Sequence, residues 1–203
     1  MIKLINISKA YGEKKILDNF SYEFPKSGFV AIVGPSGQGK TTLANIILGL
    51  KKPNTGTVEV NGTISAVFQE NCLIPQKNVL FNTLLAAKDS KNKLAACKSY
   101  SDDNVSLENK ATLILEELGL GNDLSTPIDD LSGGMARRVA IARSLCFDAD
   151  IYIMDEPLSG LDEATRNQVL KVIQKYTTKN NKLLIMITHD KDIATLATQI
   201  IEL

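Results

Sequence analysis

Short apolar runs and helical stripes take turns along the chain, and that alternation predicts its elements. Strand-like runs stand at 2–7, about 20–24 and 29–33, separated by turn-rich Tyr11-Gly12-Glu13 and Pro25-Lys26-Ser27-Gly28. They predict a small β-rich entry layer. Leu43, Ile46, Ile47 and Leu50 then recur at helical spacing, and Lys51-Lys52-Pro53-Asn54-Thr55-Gly56 turns the chain after them. Thr57-Val58-Glu59-Val60 and Ile64-Ser65-Ala66-Val67-Phe68 flank Asn61-Gly62, which predicts a hairpin in the same β layer.

Helices are predicted at 79–88, at 107–118 with Leu107, Ala111, Ile114, Leu115 and Leu118 on one face, and from Ser132 to about Cys146. The last carries Met135, Val139, Ala142 and Cys146 as its stripe. Asp150 to Met154 reads as a strand, and a further helix starts near Asp162 with Thr165, Val169, Val172, Ile173 and Tyr176 inward. Lys182 to Thr188 and Gln199 to Leu203 read as strands. The polar stretch from Lys88 to Ser106 reads as a solvated connection or a frayed helix. Strand and helix in alternation predict an α/β fold with a parallel sheet core.

Composition narrows the classes. At 203 residues and 44% hydrophobic, the chain suits one domain, or a domain with a small lobe, around an ordinary core. Lys+Arg and Asp+Glu both total 23, so no basic field points to nucleic acid or to an anionic membrane surface. No apolar run approaches the roughly 20 residues that span a bilayer, and the opening strand-like run is unlike a secretory leader. Cys72, Cys97 and Cys146 are odd in number and lack C-x-x-C spacing, which reads as reduced thiols in a reducing compartment.

The chemistry starts at Gly34-Pro35-Ser36-Gly37-Gln38-Gly39-Lys40-Thr41, which fits G-x-x-x-x-G-K-[ST] between a buried strand and a helix. Glycines at 34, 37 and 39 let the backbone close on an anion, so that N–H groups and the helix N-terminus face a phosphate chain. Lys40 then neutralises the β/γ-phosphate charge and Thr41 ligates Mg²⁺, with Thr42 beside it at the nucleotide. Ile151-Tyr152-Ile153-Met154-Asp155-Glu156 is an apolar strand ending in two carboxylates, where ligands of parallel sheets bind. Asp155 is the expected Mg²⁺ residue and Glu156 the base that orients and deprotonates an attacking water. Alone, the pair would read equally well as a solvated turn before Pro157.

Leu131-Ser132-Gly133-Gly134-Met135 adds a second anion site, with Ser132 capping a helix and Gly133 and Gly134 exposing N–H groups. With the two elements above, in this order, the chain resembles the ATP-binding-cassette (ABC) ATPases, whose signature is Leu-Ser-Gly-Gly-Gln. The resemblance runs from Tyr11 to His189. It implies a P-loop NTPase with a parallel sheet core, an N-terminal antiparallel β layer and a small helical lobe inserted at about 70–148 of a single 1–203 domain. It also implies ATP and Mg²⁺ as ligands.

On the same resemblance, Tyr11 stacks on adenine, although it also reads as a turn tyrosine on the β layer. Gln69 contacts Mg²⁺ and water and senses the transport partner. Ser159-Gly160-Leu161-Asp162 crosses between paired cassettes, and Asp162 also reads as an N-cap. His189, the chain's only histidine, hydrogen-bonds the γ-phosphate and holds Glu156 and the water in line. Two cassettes pair head to tail, each signature covering the nucleotide on the other's loop, because loop and signature lie on distant surfaces of one subunit. The resemblance implies a homodimer or a pair of different cassettes at the inner face of the cell membrane, bound to transmembrane permease subunits and, through them, to a solute-binding protein.

The segment from Glu70 to Asn82 is similar to that of compact bacterial importer cassettes. Its Leu73, Ile74 and Phe81 read equally as a groove for a permease helix or as lobe core. Met135 departs from the signature's Gln and removes an amide that could reach the opposite nucleotide. A non-transport ABC ATPase, a regulatory module that dimerises without turnover and a P-loop small-molecule kinase are the other readings. Glu156 and His189 weigh against the second, and the Leu-Ser-Gly-Gly element against the third.

Overall fold

The computed structural model describes residues 1–88 and 107–203. The polar stretch read as a connection and Cys97 therefore lie outside the described residues. In chain order the elements are β1 Ile2–Tyr11, β2 Lys14–Glu23, β3 Gly28–Val33, α1 Lys40–Ile47, β4 Thr55–Val60, β5 Ile64–Val67 and α2 Val79–Lys88. After these come α3 Leu107–Glu117, α4 Gly133–Cys146, β6 Ile151–Asp155, α5 Glu163–Tyr176, β7 Leu183–Ile187, α6 Lys191–Thr195 and β8 Gln199–Glu202.

Two sheets share the strands. An antiparallel sheet is ordered β2-β1-β4, and a parallel sheet is ordered β5-β6-β7-β3-β8. The hairpin expected around Asn61-Gly62 does not form. β4 lies antiparallel on β1, pairing Val58 with Leu4, whereas β5 lies parallel on β6, pairing Ala66 with Ile153. The reason lies in burial: β4 is mostly exposed, as befits a layer with one wet face, while Ser65 and Val67 of β5 are buried. Gly62 turns the chain with φ 123°, and Asp150 anchors the crossing by accepting from Thr63 N at 2.8 Å and Thr63 Oγ1 at 2.9 Å.

The parallel sheet is buried on both faces, which is why its strands are continuous apolar runs. Phe29 and Ala31 of β3, Tyr152 and Met154 of β6 and Leu184 and Met186 of β7 face a core shared with α2, α3, α4 and α5. Their alternates, Val30 and Ile32, Ile151 and Ile153, Ile185 and Ile187, face a second core with α1 and the antiparallel sheet. Each Val, Leu, Ile, Phe or Met among them adds about 1.5–3 kcal/mol through removal from water. Leu50, expected on the inner stripe of α1, stands 61% exposed, because the helix ends at Ile47 and Gly49 turns the chain with φ 72°.

Helix ends follow from local chemistry. Ser132 caps α4 by accepting from Met135 N at 3.2 Å, and Asp162 caps α5 by accepting from Thr165 N at 3.0 Å. α3 stops at Gly119, φ 73°, where Arg138 Nη1 donates to the Leu118 carbonyl at 2.7 Å.

Candidate functional site

The 34–41 loop, Gln69, Asp155 with Glu156, and His189 lie at or just beyond the carboxyl ends of β3, β5, β6 and β7, neighbouring strands of the parallel sheet, whereas Tyr11 ends β1 and Ser132 to Met135 start α4. From β3 the chain enters 34–41 with Gly34 at φ 147°, Gly37 at φ 80° and Gly39 at φ 103°. Gly39 precedes α1 and offers no side-chain cap, so the first N–H groups of that helix are left for a ligand. A Cβ on Gly39 would meet Ile16 Cγ2 at 2.5 Å, so backbone form and packing both demand glycine. Pro35, Ser36, Gly37 and Gln38 are exposed at the rim.

Lys40 is only 9% exposed, and its Nζ donates to the carbonyls of Gly34 and Pro35, each at 2.8 Å. The ammonium thus lies inside the curve of the loop, over the place the glycine backbone leaves for an anion. Next to it, Thr41 Oγ1 donates to Asp155 Oδ2 at 2.7 Å, joining the two residues expected at Mg²⁺. Burial raises the Asp155 carboxyl above its ordinary range, against the hydrogen bond from Thr41, which lowers it.

Glu156 follows with φ 49°, a left-handed form uncommon for this residue type, and its N–H donates to the Ile187 carbonyl at 3.0 Å. That turn carries its side chain to His189, whose Nδ1 stands 2.8 Å from Glu156 Oε1. The His189 side chain is 74% exposed and Glu156 is 19% exposed, so the pair opens to solvent at one end. Ser36, Gln69, Gly133, Glu156, Ser159 and His189 line one open cavity of about 480 Å³.

Elsewhere the signature serves as a packed helix start. Ser132 accepts the cap bond on its oxygen and keeps its O–H as a donor, Gly134 lies under Leu161 with room for no more than a tight Cβ, and half-buried Met135 packs on the core. Tyr11 is 46% exposed at the end of β1; hydrogen bonds from Lys51, at 3.0 Å, and from Thr42 lower its phenol below the ordinary range. Lys51 and Lys9 lie 5.2 and 5.5 Å from the ring centre, so cations already attend the aromatic surface. Leu73 packs against the core, Ile74 is exposed, and half-buried Phe81 lies beneath Lys77 at 5.3 Å, so the two readings of this segment divide among its residues.

Sequence reasoning missed Arg137. It is 5% exposed and donates to the carbonyls of Phe68 at 2.5 Å, Gln69 at 3.2 Å, Asp155 at 2.9 Å and Glu156 at 2.6 Å, and to Asn71 Oδ1 at 3.1 Å. Arg143, on the same helix, donates to the carbonyls of Cys72 at 2.6 Å and Asn71 at 2.8 Å. The signal was Ile141 and Ser144, which with Arg137 form a second face of α4 at helical spacing; both are buried, and Ser144 meets Ser65 of β5 at 2.9 Å.

A glycine loop with free helix N–H groups, an inward lysine and a threonine–aspartate pair define a P-loop nucleotide triphosphatase. The chain matches the family described as ABC transporter over residues 17–159. It is 32% identical over 191 residues to the aliphatic sulfonates import ATP-binding protein SsuB 1 of Nocardia farcinica, covering 94% of this chain and 72% of that one. It is 31% identical over 210 residues to the phosphonates import ATP-binding protein PhnC of Fusobacterium nucleatum, covering 96% and 84%. Among solved structures, a dimeric ATP-binding cassette in a post-hydrolysis state bound to ADP and Pi superposes with a TM-score of 0.83 at 30% identity, covering 100% of this chain and 94% of that one. This chain belongs to the ABC transporter family and is one of its ATP-binding, ATP-hydrolysing cassettes.

Proposed function

We propose that this cassette powers solute transport by closing on a second cassette around ATP and opening again after hydrolysis. The observation that carries the reading is the convergence of Ser36, Gln69, Glu156 and His189 on one open cavity beside the Lys40 loop. Tyr11 and Thr42 receive the adenine end, and the backbone of 34–39 with Lys40 receives the phosphates. Thr41, Asp155 and Gln69 would hold Mg²⁺, which would supply positive charge to neutralise the phosphates. Glu156 takes the proton of the attacking water as its oxygen bonds to the γ-phosphorus and the bridging oxygen leaves with ADP. His189 keeps that carboxylate in line through its Nδ1.

One open site covers only part of a nucleotide, and Gly133 and Gly134 of a second cassette supply the remaining N–H donors in this reading. The pair docks on transmembrane permease subunits at the inner face of the cell membrane, with a solute-binding protein reaching it through them. Support comes from relatives named as import ATP-binding proteins and from a similar structure described as dimeric. Among the described residues no helix is long and apolar enough to cross a membrane. Within the cassette, the described helices between about 70 and 148 belong to the helical lobe that carries the Glu70–Asn82 segment to the permease.

Glu156→Gln tests the chemical half. The variant is expected to bind a fluorescent ATP analogue within about twofold of wild type while releasing phosphate at least about 100-fold more slowly. Undiminished release would overturn the assignment of Glu156.

A further inference from the structure

Arg137 presents an unusual arrangement: a buried guanidinium that spends its donors on main-chain carbonyls and one amide oxygen, with no carboxylate oxygen of the described residues among its hydrogen-bond partners. Burial lowers its pKa, against the nearby charges of Asp155 and Glu156. Holding a cation in such a place carries a desolvation cost, which neutral carbonyls offset less well than a carboxylate would.

The position explains what the cost secures. The β5–β6 ladder ends at the pair Val67 and Met154. Phe68, Gln69, Asp155 and Glu156 lie past the last pair of that ladder, and Asp155 pairs with Ile187 of β7. Arg137 stands across the two strand ends with Nη1 on the β5 side and Nη2 on the β6 side. It also steadies the left-handed backbone of Glu156, which its N–H to Ile187 holds from the β7 side. A guanidinium suits the task because its donors are fixed in one plane, so the distance between the two strand ends is set by a rigid part.

We propose that Arg137 is a positioning residue for hydrolysis, tying the backbone at Gln69 to the backbone at Glu156 so that amide and carboxylate address the same water. The proposal rests on the reading of Glu156 as the base. Since Arg137 is rooted in α4, five residues after Ser132, the same tie places the signature helix in register with the hydrolytic carboxylate. Any displacement of 68–72 by a docked subunit then reaches Glu156 through a single side chain.

The test uses the whole chain and compares wild type, Arg137→Lys, Arg137→Met, Glu156→Gln and the double variant Arg137→Lys with Glu156→Gln. Arg137→Met keeps side-chain volume without donors, and Arg137→Lys keeps charge with a single donor head. Turnover in Arg137→Met is expected to fall at least about tenfold, with KM and nucleotide Kd within about twofold, and Arg137→Lys is expected to recover part of it. The double variant is expected to be no slower than Glu156→Gln alone, because both changes act through one carboxylate. Amide exchange in Arg137→Lys is expected to quicken in peptides spanning 66–72 and 154–158 while α1 stays protected, a readout that needs neither turnover nor the methionine variant to fold.

Full turnover in both Arg137 variants, or multiplied losses in the double variant, overturns the proposal. So do equal falls of affinity and turnover, or exchange that quickens throughout the chain. Full turnover in Glu156→Gln instead overturns the reading beneath it, whereas lost turnover there with active Arg137 variants overturns the Arg137 role alone.

Discussion

Thr41 Oγ1 donates to Asp155 Oδ2 at 2.7 Å across 114 residues of sequence, so the start of α1 and the end of β6 meet in one contact. Asp155 is 6% exposed, and burial raises its carboxyl above the ordinary value of 3.8. The folded chain therefore keeps this proton at pH values where the unfolded chain has released it. Stability falls as pH climbs from about the ordinary value through the raised folded one, and the ionised group remains a net cost at neutral pH. Asp155→Asn keeps an oxygen for Thr41 and removes the charge. Its melting temperature without Mg²⁺ is expected to exceed wild type by a few degrees at pH 7 and to match it near about pH 3, while Mg²⁺-dependent hydrolysis is lost. Scanning calorimetry across pH checks the first part, and a lower melting point at neutral pH would contradict it.

Lys40 is the cation the loop already surrounds, held by the carbonyls of Gly34 and Pro35. Lys40→Met is expected to weaken ATP at least about 30-fold, the scale of a lost charge-assisted hydrogen bond. Titration with a fluorescent ATP analogue measures this directly, and an unchanged Kd would remove Lys40 from the phosphate site.

Gly39 combines φ 103° with a would-be Cβ only 2.5 Å from Ile16, whereas Gly37 at φ 80° has open space around it. Gly39→Ala is expected to lose about 2 kcal/mol of stability and Gly37→Ala about half of that, read from urea unfolding midpoints. Equal losses would mean that backbone form alone, and not packing on β2, fixes the loop.

His189 stands at Glu156 from the far side of the carboxylate, 2.8 Å away and open to solvent. His189→Ala is expected to slow phosphate release at least about tenfold and to leave ATP affinity within about twofold, since the contact orients a base and does not grip the phosphate chain in the free subunit. Parallel loss of affinity and turnover would argue for a binding role instead.

Much of this fold was legible in the sequence because the parallel sheet is buried on both faces and therefore writes itself as uninterrupted apolar runs such as 29–33 and 151–154. The phosphate loop was legible because glycine, lysine and threonine are each required there by geometry or charge. The 57–68 region was not, since Asn-Gly between two β-prone runs signals a hairpin locally, while the pairing partners lie far off in the chain, Leu4 for Val58 of β4 and Ile153 for Ala66 of β5. Arg137 stayed hidden because a helix with one apolar stripe normally turns its charges to water. α4 is buried on two sides, and its second face carries the arginine among Ile141 and Ser144.

The central claim, that ATP joins two copies of this cassette and hydrolysis releases them, is tested most directly by light scattering of the purified Glu156→Gln chain with and without Mg-ATP. The expected result is a particle of twice the 22.1 kDa chain mass with ATP and a single chain without it, while wild type returns to a single chain as phosphate appears. A Glu156→Gln chain that binds ATP at saturation and stays at the mass of one chain would contradict it.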